Sequence, residues 1–174
     1  HDALPISLVV WGSHRPGQIH CTVGVDNRQG GRLAGECLIA AGRKRLAFLG
    51  ETVAPELQER YLGLCDAAAA AGLEAPLKLD THLASDVMAD EIAAHVEAIK
   101  ARVDGIAAGS DLIAMHTVSA LADRGLMVPR DISVTGFDDL PLAEQTIPRL
   151  TTISQNIATG ARAMVNALYQ RIAG

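Results

Sequence analysis

Two carboxylates close a β-branched run late in the chain, Pro129-Arg-Asp-Ile-Ser-Val-Thr-Gly-Phe-Asp-Asp139. Such a run reads as a buried strand that ends at a glycine. In open α/β sheets ligands sit in the crevice beyond the strand ends, where Asp138 and Asp139 fall. An Asp there also serves as an Asx turn or as the N-cap of a following helix, here 140–146, so the pair alone leaves both readings open. Three other segments follow apolar runs in the same way: Gly12-Ser13, the stretch 50–60 with Glu56 and Arg60, and Gly109-Ser110-Asp111. Hydroxyls, carboxylates and one guanidinium gathered in one cleft suit a polyhydroxylated or otherwise polar small molecule, since a sugar hydroxyl can donate to an acid and accept from an arginine. The plainer roles are an i,i+4 surface pair for Glu56 and Arg60, worth about 0.3 to 0.5 kcal/mol, and helix capping for Ser110 and Asp111, which does not exclude facing the cleft.

Catalytic patterns are missing. The sequence has no Gly-x-Ser-x-Gly elbow, no phosphate-cradling Gly-x-x-x-x-Gly-Lys and no Gly-x-Gly-x-x-Gly after a strand. Its six histidines, His1, His14, His20, His82, His95 and His116, never fall at His-Glu-x-x-His spacing and read as surface or capping residues. Asp138 and Asp139 could hold Mg²⁺, but the lysine and phosphate loop of phosphoryl chemistry do not accompany them. No catalytic residue, metal site or cofactor is expected.

Positioning such a cleft requires alternating strands and helices, and the chain supplies them. Apolar runs at 8–11 and 19–25 read as strands joined by a polar loop with Pro16-Gly17. A helix is expected over 29–41, with Leu33, Cys37, Leu38 and Ala41 at helical spacing and Gly42 as its C-terminal cap. Then come a strand at 45–50, a helix from Pro55 to Gly72, a weak strand at 77–79, a helix capped by Ser85 or Asp86, a strand at 103–108, a helix from 111 to Gly125, the strand after Pro129, an extended segment at 150–153 and a helix over 157–172. This alternation predicts an α/β fold, a parallel sheet flanked by helices with right-handed crossovers.

At 174 residues the chain can bury a full core in one domain or two small lobes. With 49% hydrophobic and only 3% aromatic residues, that core must be aliphatic. A formal net charge of −5 argues against a dedicated nucleic-acid surface, and Arg43-Lys44-Arg45 is read as solvated side chains after a helix end. Three cysteines without Cys-x-x-Cys spacing suggest buried or inert thiols in a reducing cytoplasm. No run reaches the roughly 18 apolar residues of a membrane span, so no membrane partner is expected, and no export signal is seen. The chain lacks an initiator Met, and residues 1–7 are expected to be a foreign leader or the interior of a longer protein.

The order of segments carries a resemblance. Val23-Gly-Val-Asp-Asn-Arg-Gln-Gly-Gly-Arg-Leu-Ala34, Leu38-Ile-Ala-Ala-Gly-Arg-Lys-Arg-Leu-Ala-Phe-Leu-Gly50, Glu59-Arg-Tyr-Leu-Gly63, Gly109-Ser-Asp111, Val128-Pro-Arg-Asp-Ile-Ser-Val-Thr-Gly-Phe-Asp-Asp139 and Pro148-Arg-Leu-Thr-Thr-Ile-Ser-Gln155 together resemble the lactose-repressor and galactose-repressor family of bacterial transcription regulators. That resemblance implies a periplasmic-binding-protein-like (type I) effector domain in which two α/β lobes close on a sugar or nucleobase. It implies effector contacts from Arg60 and Asp138, supported by Ser13, Glu56 and Ser110 or Asp111. The position of a stacking aromatic falls near Leu83. By the same mapping 26–155 form the C-terminal lobe, while 1–25 and 156–174 are remnants of the N-terminal lobe. Operator DNA would be bound only through an N-terminal headpiece absent here, and the protein would be a cytoplasmic homodimer. An exported solute-binding protein of the same fold and a small α/β hydrolase using Asp138 and Asp139 are the competing readings.

Overall fold

The computed structural model describes residues 7–13, 17–82 and 87–173. Pro16, the caps expected at Ser85 or Asp86, the position at Leu83 and the leader up to Ile6 lie outside them. The chain divides into two compact units, Asn27–Ser154 and the two flanks His1–Asp26 with Gln155–Gly174. In the flanking unit, β1 (Val9–Trp11) and β2 (Cys21–Val23) pair in parallel, Val9 opposite Cys21.

The larger unit runs α1 (Asn27–Ala40), β3 (Leu46–Leu49), α2 (Pro55–Ala70), β4 (Leu77–Leu79), α3 (Met88–Ile99), β5 (Gly105–Ala108), α4 (Asp111–Ala122), β6 (Ser133–Asp138), a 3-10 helix (Pro141–Gln145) and β7 (Thr151–Ser154). In the flanking unit, α5 (Ile157–Ala173) lies against β1 and β2, and there a Cβ on Gly160 would overlap the Trp11 ring.

All five strands of the larger sheet are parallel, in the order β4-β3-β5-β6-β7. The chain steps from β3 outward to β4, then returns to lay β5 on the other side of β3. This reversal opens a crevice at the carboxyl ends of β3 and β5, the place where doubly wound sheets bind ligands. Side chains alternate across the sheet: Ala47, Leu49, Ile106, Ala108 and Val134 pack with α3 and α4, while Leu46, Phe48 and Ala107 pack with α1 and α2. Because both faces are covered, β3 and β5 are buried at every position, which is why they appear in the sequence as unbroken apolar runs.

Several expectations are corrected. Helix α1 starts at Asn27, two residues before the expected 29, and runs through Gly30-Gly31. Those glycines are packing positions: a Cβ on Gly31 would overlap the Arg60 carbonyl, and one on Gly63 would overlap that of Arg28, so α1 and α2 cross backbone to backbone. The helix expected over 140–146 is only the 3-10 turn, because Leu140 and Thr146 are extended and Pro148 follows too closely for an α-helix to nucleate. Arg43-Lys44-Arg45 is not simply solvated. The Arg43 Nε donates to Ser133 Oγ at 2.9 Å and its Nη2 to the Pro129 carbonyl, while the Lys44 and Arg45 backbone N–H groups donate to Asp104 Oδ1 at 2.9 and 2.8 Å.

Candidate functional site

Arg60 stands in the second turn of α2, where a charged side chain would ordinarily be solvated. Instead α1 and the end of β6 close over it, leaving it 7% exposed. Its Nε donates to Asn27 Oδ1 at 2.8 Å and its Nη1 to the carbonyl oxygen of Gly109 at 2.6 Å. The guanidinium carbon lies 3.6 Å from the centroid of the Phe137 ring, within cation–π range. Asp138 Oδ1 is 3.8 Å from Nη1. Burial lowers the pKa of the guanidinium from its usual value, against the opposing pull of Asp138 and Glu56. An arginine keeps its charge in any protein environment, so this crevice carries a desolvated cation beside the carboxyl end of β5.

Asp138 ends β6 with φ 124°, and Asp139 follows at φ 61°, both in regions that favour glycine. A hydrogen-bonded clamp holds this turn. The Asp139 N–H donates to Thr152 Oγ1 at 3.3 Å, the Leu140 N–H to Asp111 Oδ2 at 2.7 Å, and the Thr152 hydroxyl to Asp111 Oδ1. Asp111 is fully buried and accepts at both oxygens, so its part is to aim the turn that carries Asp138. Gly136 is required beside it, because a Cβ there would overlap the Asp111 carboxylate.

Ser110 is the N-cap of α4, its Oγ accepting from the Ile113 N–H at 3.2 Å, and it is 3% exposed. Glu56 sits in the first turn of α2, one turn ahead of Arg60, and its charge favours the protonated guanidinium. Glu56, Arg60, Ser110, Asp111 and Asp138 therefore all belong to the carboxyl edge of the larger sheet. Ser13 follows β1 in the flanking unit and is half-buried. Sequence reasoning passed over Asn27, Phe137 and Thr152. Asn27 reads as a turn residue after a strand, and Phe137 as one more apolar strand position; only the pairing of α1 with α2 turns them toward Arg60.

The loops after β3 and β4 are tied together nearby. Asp80 Oδ1 accepts from the Thr52 N–H at 3.2 Å and from its hydroxyl at 2.9 Å. Desolvation pushes the Asp80 carboxyl up, but these two bonds, with Lys78 and His82, outweigh it and hold the group below the usual carboxylate range. No cluster of three or more histidine, cysteine, aspartate or glutamate side chains with metal-binding geometry occurs among the described residues. No helix among them is long and apolar enough to cross a membrane.

A family model described as a periplasmic binding protein-like domain matches residues 36–174. The chain is 33% identical over 156 residues to the HTH-type transcriptional regulator CelR of Thermobifida fusca, covering 87% of this chain and 45% of that protein. Among solved structures it resembles a periplasmic binding protein/LacI transcriptional regulator from Alkaliphilus metalliredigens complexed with D-xylulofuranose, with TM-score 0.85, 29% identity and coverage of 97% of this chain and 63% of that one. A LacI family regulator from Enterococcus faecium with bound ribose gives TM-score 0.83 and 26% identity, covering 95% and 62%. The chain spans about half the length of the curated relatives it matches. The parallel α/β fold and the match over most of the sequence agree: the chain belongs to the periplasmic-binding-protein-like domain family, among relatives that are transcription regulators of the LacI type.

Proposed function

We propose that this chain is the effector-sensing part of a bacterial transcriptional repressor, and that its larger unit is the C-terminal lobe holding one side of a small polyhydroxylated ligand. The observation that carries this reading is the buried Arg60 guanidinium at the crevice between β3 and β5, flanked by Asp138. A guanidinium has five N–H donors; the contacts within the protein draw on Nε and Nη1, and the Nη2 pair is what a sugar hydroxyl would meet. Asp138 accepts from a neighbouring hydroxyl, and Phe137 beneath the guanidinium keeps the pair dry enough for each bond to count. Glu56 and Ser110 support that grip from the same edge of the larger sheet. The two related structures hold pentoses, which makes pentoses the first ligands to try.

The regulator acts in the cytoplasm as a homodimer and reaches operator DNA through a separate headpiece, a reading supported by a net charge of −5, which argues against a dedicated nucleic-acid surface within these residues. Exposed Leu112, Leu140, Leu142 and Ile147 support a self-association surface on the larger unit. It performs no catalysis: the hydroxyl of Ser110 caps a helix and the Asp111 carboxylate is spent on its clamp, so neither is available as nucleophile or base.

Calorimetric titration of pentoses, hexoses and nucleobases into the full-length protein tests this reading. Arg60→Lys and Asp138→Asn should each weaken the effector roughly 10-fold to 100-fold, the effect of losing a charge-assisted hydrogen bond of about 1.5 to 3 kcal/mol. Lysine fails because a point charge cannot reproduce the fork that reaches Asn27, Gly109 and a ligand together. Unchanged affinity in both variants would remove the site assignment.

A further inference from the structure

The carboxyl edge of a doubly wound sheet is a ready seat for a phosphate, because helix N-termini and loop N–H groups converge there. In this chain those positions are filled from within. The helix after β3, α2, carries Glu56 in its first turn, and the helix after β5, α4, carries Asp111. Each carboxylate complements the positive end of its own helix, the part an incoming anion would otherwise play.

Loop amides are committed as well. Gly50 and Gly109, which follow β3 and β5, donate their N–H groups to the carbonyl oxygens of Leu79 and Leu49 at 3.1 and 2.7 Å. The Ile113 N–H goes to Ser110 Oγ, the Thr52 N–H to Asp80 Oδ1 and the Leu140 N–H to Asp111 Oδ2. A phosphate arriving here would find these donors taken and would meet Glu51, Asp80, Asp138 and Asp139 at the ends of β3, β4 and β6. Among the described residues of 50–60, 80–82, 109–111 and 136–140, the cationic side chains are Arg60 and His82. Both already face acids: Asp138 Oδ1 is 3.8 Å from Arg60 Nη1, and Glu91 Oε1 is 2.9 Å from His82 Nδ1. A second anion would therefore be held without a counter-charge, whereas the hydroxyls of a free sugar donate to these carboxylates and accept from Arg60.

We propose that the effector is an uncharged sugar or comparable polyol, selected against its phosphate ester and against sugar acids by the carboxylates that the chain itself places at the helix N-termini and strand ends. This rests on the sensing function proposed above and narrows its ligand class.

Calorimetric titration into the full-length protein compares D-ribose, D-xylose, D-glucose and D-galactose, each with its terminal phosphate ester, and includes D-glucuronate and D-galacturonate as the acids. A free sugar that binds should do so about 100-fold more tightly than its charged form, the penalty of one uncompensated like-charge contact in a partly desolvated crevice. Glu56→Gln should narrow that gap about 10-fold by strengthening the charged form, which a loss of packing alone would not do. Inorganic phosphate, followed through the amide resonances of Thr52, Ile113 and Leu140, should produce no saturable shift. The proposal is overturned by a charged form that binds as tightly as its free sugar, by a saturable phosphate shift at those amides, or by a gap that Glu56→Gln leaves unmoved. Failure of the sensing reading shows differently. Arg60→Lys would then leave the free sugar's affinity unchanged while the gap persists, or no sugar would bind in either form, and in that second case the proposal falls with it.

Discussion

At the level of single residues, Asp138 joins a proposed effector contact to an uncommon backbone. A φ of 124° costs a residue with a Cβ on the order of 1 to 3 kcal/mol, and the clamp through Asp111 and Thr152 holds it there. Asp138→Gly should therefore raise the melting temperature, by about 2 to 4 °C for each kcal/mol recovered in a domain of this size, while weakening the effector as Asp138→Asn does. Asp138→Asn keeps the Cβ and should show no such gain. Melting curves beside calorimetric titrations separate the two, and a glycine variant that melts no higher would show that the turn is unstrained. The strand ending in Gly-Phe-Asp-Asp was legible in the sequence, while the pair of carboxylates left a ligand contact and a turn or cap role both open. The dihedral angle of Asp138 was not legible, and neither was the role of Asn27 or Phe137, because each depends on which helix covers which strand.

Elements were legible in proportion to how far local pattern determines them. Leu46–Leu49 and Gly105–Ala108 are apolar throughout and are strands, and Pro55 opens α2 as its fixed φ favours. Helix α1 begins two residues earlier than expected, at Asn27, which reads locally as a turn residue after a strand; Gly30 and Gly31 lower its helix propensity, and the crossing with α2 offsets that loss. His82 illustrates a tie between elements that no local pattern reveals. Its Nδ1 lies 2.9 Å from Glu91 Oε1 on α3, its Nε2 is 4.0 Å from Glu51 after β3, and its own residue follows β4. The hydrogen bond to Glu91, then the charges of Glu91, Glu51 and Asp80, raise its pKa above the ordinary value. A raised folded-state pKa means that protonation favours the folded form. This contribution is complete below the unfolded value, about 6.5, and is lost as pH rises through the higher folded value. The wild type should thus lose thermal stability relative to His82→Gln between pH of about 6 and 8. Because the ring is exposed, the effect should be small and weaken in salt. A difference between the two proteins that stays flat over that range would reject the clasp.

On the scale of the whole chain, the two units differ in how much core each possesses. The larger has two aliphatic layers on either side of its sheet, whereas α5 carries no buried residue and β1 and β2 are only half-buried. Native-state hydrogen exchange on the 174-residue chain should accordingly show two tiers. Amides of β3, β5 and β6 should exchange only through global unfolding, and those of β1, β2 and α5 far sooner. Coincident exchange in both units would contradict this division. The crossing of α1 and α2 has one more consequence. Asn27 holds the Arg60 side chain, and Gly31, one turn on, touches the Arg60 backbone, so the same helix face grips one residue at both ends. A change that moved the guanidinium to suit a new ligand would force apart two backbones that have no slack. If Arg60 is the effector contact proposed above, retuning of ligand preference would be channelled into the loops after β3, β4 and β6, with Arg60 as the fixed datum against which those loops vary.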